Sequence, residues 1–100
     1  MFALVVRFEL RPEAVDAFDA LVARTLEGIR EEEGTLLYVT SRVDDAPLSR
    51  VFVELYADKD AFVAHEEYPH TRRFLEEREP MIESLRVEFL DPTDGKLPSW

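Results

Sequence analysis

Four side chains able to move protons, Glu54, Tyr56, His65 and His70, fall in one stretch, VFVELYADKDAFVAHEEYPHTRRF, over residues 51–74. A neutral imidazole at His65 could take a proton from a bound phenol or enol near neutral pH. His65 follows Ala61 and Phe62 by four and three residues, so it shares their inward helical face. The competing reading is a histidine satisfied by a backbone carbonyl at a helix end; its loss would then lower the melting temperature, whereas loss of a base near a helix end would change stability little. His70 follows Pro69 and precedes Phe74 by four residues, which suits a solvent-facing or helix-start role. Glu54 is either a base with a burial-raised proton affinity or half of a cross-strand ion pair with Arg7, Arg42 or Arg50, and the ion pair is the favoured reading. Tyr56 and Tyr38 can orient a ligand by their hydroxyls or pack between subunits. Arg7 could hold an oxyanion or pair with Glu9.

Other chemistries lack their residues. The chain has no cysteine, so thiolate nucleophiles, disulfides and thiolate metal sites are excluded. The two histidines stand five apart across Pro69, unlike an i, i+4 metal pair, and no metal site is expected. Three isolated glycines make no phosphate-cradling loop, so no nucleotide cofactor is expected. A net charge of −10 argues against nucleic acid. With 46% hydrophobic and 34% charged residues the chain reads as an ordinary globular domain. The apolar run Phe2–Val6 meets Arg7 at once, too short for a leader, and no window approaches a membrane span. A cytoplasmic protein is the expectation.

The elements that must position these residues follow from periodicity. Phe2 to Leu10 alternates as a first strand. Pro12 opens a helix whose Val15, Phe18, Leu21, Val22, Leu26 and Ile29 recur at helical spacing, to about Glu32. Strand two runs from Thr35 to about Val43, Asp44-Asp45-Ala46-Pro47 is a turn, and strand three runs from Ser49 to Ala57. Asp58 can cap a second helix broken at Tyr68-Pro69, and Ser84–Leu90 forms strand four. The order β-α-β-β-α-β predicts an α+β, ferredoxin-like fold, a four-stranded antiparallel sheet with both helices on one face. Residues 1–90 would be the domain and 91–100 a tail held by the domain or a partner through residues up to Trp100.

Phe2, Leu4, Val6, Phe8, Leu37, Val39, Val43, Val51, Val53, Leu55, Leu85, Val87 and Phe89 form an almost wholly apolar set, expected under the helices. The opposite set, with Val5, Arg7, Tyr38, Phe52, Glu54 and Tyr56, mixes aromatics and charges. Exposed, it would leave an apolar patch in water, so it is expected to pack in a symmetric homodimer. A charge at Phe52 would then break that dimer.

The pieces Val5-Val6-Arg7 to Arg11-Pro12, Glu32-Glu33-Gly34-Thr35 and Glu54-x-Tyr56…Ala61-Phe62…His65…Pro69-His70…Phe74 resemble the antibiotic biosynthesis monooxygenase family, from Phe2 to about Leu90. The resemblance implies a dimeric α/β barrel that oxidises a small aromatic or quinol-type substrate with molecular oxygen and no cofactor. It implies His65 as base, assisted by Glu54 and Tyr56, with Tyr38, Phe52, Arg7, His70 and Phe74 around the substrate. Some relatives carry an Asn and a Trp on the pocket strands. Here strand three has Glu54 and Tyr56, and the one Trp is Trp100. Haem-degrading relatives have an Asn on strand one, where this chain has Arg7, so the resemblance does not extend to them. A non-catalytic ligand-binding or stress-associated dimer, and a cofactor-free isomerase using the same His65, are the alternatives.

Overall fold

The computed structural model describes residues 1–97. Four strands, β1 (Phe2–Leu10), β2 (Thr35–Val43), β3 (Ala46–Tyr56) and β4 (Ile82–Leu90), form one antiparallel sheet in the order β2-β3-β1-β4. Helices α1 (Val15–Ile29), α2 (Lys59–Glu67) and α3 (Pro69–Glu77) connect them. This is the expected ferredoxin-like α+β fold. No helix among the described residues is long and apolar enough to cross a membrane.

Local chemistry explains the element ends. Pro12 sits in a single 3₁₀ turn ahead of α1, where its missing N–H leaves no bond unmade. The β2–β3 hairpin closes tightly, Val43 pairing with Ala46, because Asp45 adopts φ 62°, a region Asp tolerates. Ala46 and Pro47 thus belong to β3 rather than to the expected turn. Asp58 caps α2 by accepting the Ala61 N–H at 2.8 Å. Tyr68, preceding Pro69, is forced into extended backbone (φ −63°, ψ 144°), which separates α2 from α3.

The assignment of sheet faces needs a correction. Val6 pairs with Phe52, Leu4 with Glu54, and Glu54 with Tyr38. Residues directly opposite share a face, so Tyr38, Phe52, Glu54 and Tyr56 lie under the helices with Leu4, Val6 and Phe8. Val39, Val51 and Val53 point the other way, and Val39 and Val53 are 45% and 40% exposed. β3 is apolar on both faces, so alternation alone could not orient it, and pairing with β1 decides. The face expected to make a dimer is therefore the protomer's own interior. Phe52 is fully buried, with Phe8, Phe18 and Phe74 at ring separations of 4.7, 6.1 and 6.2 Å. A charge there would attack the fold itself.

Candidate active site

Two glutamates are buried close to the histidines. Glu32, just beyond α1, has a side chain only 3% exposed. Its Oε1 accepts the His65 Nδ1–H at 2.8 Å and the Thr35 hydroxyl at 2.6 Å, and its Oε2 takes a short bond from His70 Nε2. Thus α2 and α3, each carrying one histidine, are tied to the end of α1 by a single carboxylate. His70 reaches it because Gly28 leaves space: a Cβ there would lie 2.3 Å from His70 Nδ1. Neither a backbone carbonyl for His65 nor a solvent-facing role for His70 is found.

The bond to Glu32 has a chemical consequence. With Nδ1–H donating to the carboxylate, the neutral ring carries its lone pair on Nε2. His65 lines a pocket of about 160 Å³ between α2, α3 and the sheet, and packs against Tyr38 and Tyr56 at ring distances of 5.6 and 5.2 Å. It is buried rather than peripheral, so its removal must also affect stability.

Glu54 lies across the same pocket, in the middle of β3. The Tyr56 hydroxyl donates to its Oε1 at 2.6 Å, and the Tyr38 hydroxyl also stabilises the carboxylate. Among the described residues it forms no ion pair: Arg50 is taken by Asp19 at 2.9 Å, and Arg7 by Glu9 at 3.0 Å. Burial pushes the Glu54 carboxyl up to about 7, against a smaller opposing pull from the Tyr56 hydroxyl. Burial and the facing carboxylate push both Tyr38 and Tyr56 above the ordinary tyrosine range, so both are hydroxyl donors at neutral pH.

Of the residues singled out in the sequence, Tyr38, Phe52, Glu54, His65 and Phe74 line the pocket. Tyr56 touches it through Glu54. His70 lies behind it, acting through Glu32. Arg7 lies on the opposite face of the sheet, bonded to Glu9 and Ser49. Sequence reasoning missed Glu32 as a site residue, along with Thr71 and Arg78, which also line the pocket. Glu32 sits in the run Glu31-Glu32-Glu33, which reads as a solvated charged turn. The one hint was its position immediately past a helix, before Gly34-Thr35.

A second cleft of about 230 Å³ lies between α1 and β2, lined by Asp19, Arg42 and Arg50 among others. Arg50 is fully engaged there, by Asp19 and by the carbonyls of Pro47 and Ser49. That cleft offers no buried group free for catalysis.

Similar proteins agree with this architecture. A solved antibiotic biosynthesis monooxygenase superposes with a TM-score of 0.87 at 23% identity, covering 94% of this chain and all of that one. A Mycobacterium tuberculosis protein gives 0.88 at 26% identity, covering 94% and 96% of the two chains. A Bacteroides thetaiotaomicron protein gives 0.89 at 23%, covering 99% and 95%. No curated protein matches. The sequence itself matches the antibiotic biosynthesis monooxygenase family over residues 1–77, a span that holds both buried glutamates, both histidines and the tyrosines of β2 and β3, and the chain belongs to that family.

Proposed function

We propose that this protein is a monooxygenase that oxidises a small aromatic, quinol-type substrate with molecular oxygen and without a cofactor. The observation that carries this reading is the pairing, in one aromatic pocket, of a histidine held by a buried carboxylate with a second carboxyl whose proton affinity lies near neutrality. His65 Nε2 takes the proton of the ring hydroxyl, and Glu32 stabilises the imidazolium formed, as the acid does in a hydrolase triad. The electron-rich substrate anion then reduces oxygen and forms the carbon–oxygen bond. Glu54, protonated in part of the population near pH 7, supplies a proton to the departing peroxide oxygen, which leaves as water with the ring oxidised to a quinone. A pocket of this size accommodates a single aromatic ring, which fits electrons drawn from the substrate itself.

The test is oxygen consumption with a panel of hydroquinones under labelled oxygen. One labelled atom should enter the product and the other should appear in water. Accumulating hydrogen peroxide without label in the product would reject the monooxygenase reading. The same base and the Glu54–Tyr56 pair also suit keto–enol isomerisation, and turnover of an enolic substrate without oxygen would select that alternative.

The protein acts in this reading as a homodimer in the cytoplasm. Its surface is the open sheet face, where Val39, Val53 and Leu90 are exposed and Val5, Val51 and Leu37 half-buried. Pairing two such faces would remove the patch from water. The stretch Pro92–Leu97 borders the same face beside Met1 and Leu55. Residues 1–90 form the domain in this proposal and the tail packs on it; Trp100 lies outside the described residues. Light scattering should give a dimer, and Val53→Asp a monomer. A monomeric wild type at micromolar concentration would refute this arrangement.

A further inference from the structure

On the α3 side of the pocket stand two polar groups that the protein leaves without partners. The Thr71 hydroxyl and Arg78 Nε are buried, and neither makes a hydrogen bond among the described residues. Thr71 is 3% exposed. Both residues line the same pocket as Glu54 and His65. Thr71, Phe74 and Arg78 recur at positions i, i+3 and i+7, and Arg78 keeps helical backbone at the end of α3 (φ −71°, ψ −23°), so the three share one face. Helical side chains lean toward the N-terminus, which carries the Arg78 guanidinium back over Phe74 and Phe8, 5.4 Å from each ring centre. Among the described residues no carboxylate lies within ion-pair distance of it.

A buried donor without an acceptor is rare in native proteins and points to a missing partner. Here an orphaned hydroxyl and an orphaned guanidinium N–H sit in one pocket, and the carboxylates of Glu54, Glu66 and Glu79 act on that guanidinium only from beyond ion-pair distance. A single anionic oxygen-bearing group would satisfy both donors. The pocket's dimensions bound the rest of the ligand. Its volume of about 160 Å³ is close to that of a cavity of about 150 Å³ that holds one benzene ring, so a single ring fits within it.

We propose that the pocket takes a single-ring quinol bearing a carboxylate, with the carboxylate on Arg78 and Thr71 and a ring hydroxyl toward His65 and Glu54. This rests on the functional reading above and adds to it the substrate class and two specificity residues. The ring packs against Phe52 and Phe74, which come from the sheet and from α3, so the two polar ends of the ligand meet donors and acceptors on different elements. A carboxylate, held bidentately or at one oxygen, suits guanidinium geometry better than a neutral carbonyl does.

The experiment is anaerobic calorimetric titration, so that no turnover is needed. The probes are 2,5-dihydroxybenzoate, hydroquinone and 1,4-dihydroxy-2-naphthoate. The dihydroxybenzoate should bind at least about 10-fold more tightly than either of the others. Arg78→Gln and Thr71→Val should each weaken it by roughly 10–100-fold, the worth of a hydrogen bond to a charged group, while leaving hydroquinone unchanged. Thr71→Val is nearly isosteric, and the comparison of probes on the unaltered protein needs no variant at all. Equal binding of hydroquinone and dihydroxybenzoate, tighter binding of the naphthoate, no measurable binding of the dihydroxybenzoate at millimolar concentration, or an unselective effect of Arg78→Gln would overturn the proposal. Carboxylate-selective binding without oxygen uptake would keep this inference and remove the oxidation. Oxygen uptake without carboxylate preference would do the opposite.

Discussion

The two buried glutamates differ in how they are satisfied, and that difference separates architecture from chemistry. Glu32 accepts from Thr35, His65 and His70, each from a different element. Glu54 meets only tyrosine hydroxyls among the described residues, Tyr56 at 2.6 Å and Tyr38 more loosely, and burial moves its proton affinity to about 7. A carboxylate surrounded by three donors is a joint: it fixes where α1, α2 and β2 meet and which nitrogen of His65 is free. A buried carboxyl met only by neutral hydroxyl donors is a reagent, poised to exchange a proton at working pH. The protein keeps the joint away from the pocket and the reagent inside it.

The largest effect should come from removing the joint. Glu32→Ala leaves two imidazoles and a hydroxyl without their shared acceptor, and should destabilise the fold by about 3–5 kcal/mol, as breaking a buried pair does. Denaturant unfolding will measure it. A loss under about 1 kcal/mol would mean that the three bonds are incidental.

Glu54 should behave in the opposite sense. Its value is raised in the folded state from about 4.5 to about 7. The folded protein therefore holds a proton that the unfolded chain gives up. This contribution is fully present below pH 4.5 and is lost as pH rises through about 7, amounting to roughly 3 kcal/mol across that window. Glu54→Gln still accepts the Tyr56 hydroxyl, so it should flatten the profile and be more stable than the wild type at pH 8 by roughly 1–3 kcal/mol. Melting temperatures between pH 4 and 8 decide this, and parallel curves for the two proteins would show that Glu54 titrates normally.

A smaller change should reach the joint from behind. Gly28→Ala places a methyl 2.3 Å from His70 Nδ1, and displacing the ring should destabilise by about 1–3 kcal/mol, the usual scale of overpacking. The His70 ring resonances should shift, with those of His65 following through Glu32. Unchanged spectra would show that α3 adjusts freely.

What the sequence disclosed follows the same division. β1 was legible because only one of its faces is apolar: Leu4, Val6 and Phe8 against Arg7 and Glu9. The Asp58 cap and the break at Tyr68-Pro69 were legible because a side-chain acceptor and a proline ring act locally. β3 was not, since Val51, Val53 and Leu55 are as apolar as Phe52 and Tyr56, and its orientation depends on register with a strand more than forty residues away. Glu54 was recognisable as a candidate, yet its lack of a pair with Arg7 or Arg50 was not, because ion-pair choice is also a matter of register. Glu32 was hidden for the same reason: nothing local marks the middle member of three glutamates as buried.

The central claim is that His65, held by Glu32, removes the substrate's proton. It is tested most directly by oxygen consumption with a hydroquinone substrate, comparing wild type, His65→Asn and His70→Gln, each checked for fold by circular dichroism. Asparagine can still donate to Glu32 from the position of Nδ1, and glutamine from that of Nε2, so both variants keep the joint. The account predicts that His65→Asn lowers kcat by roughly 10²–10⁴, the usual share of general-base catalysis, while His70→Gln stays within about 10-fold of wild type. A folded His65→Asn that consumes oxygen at the wild-type rate would contradict it.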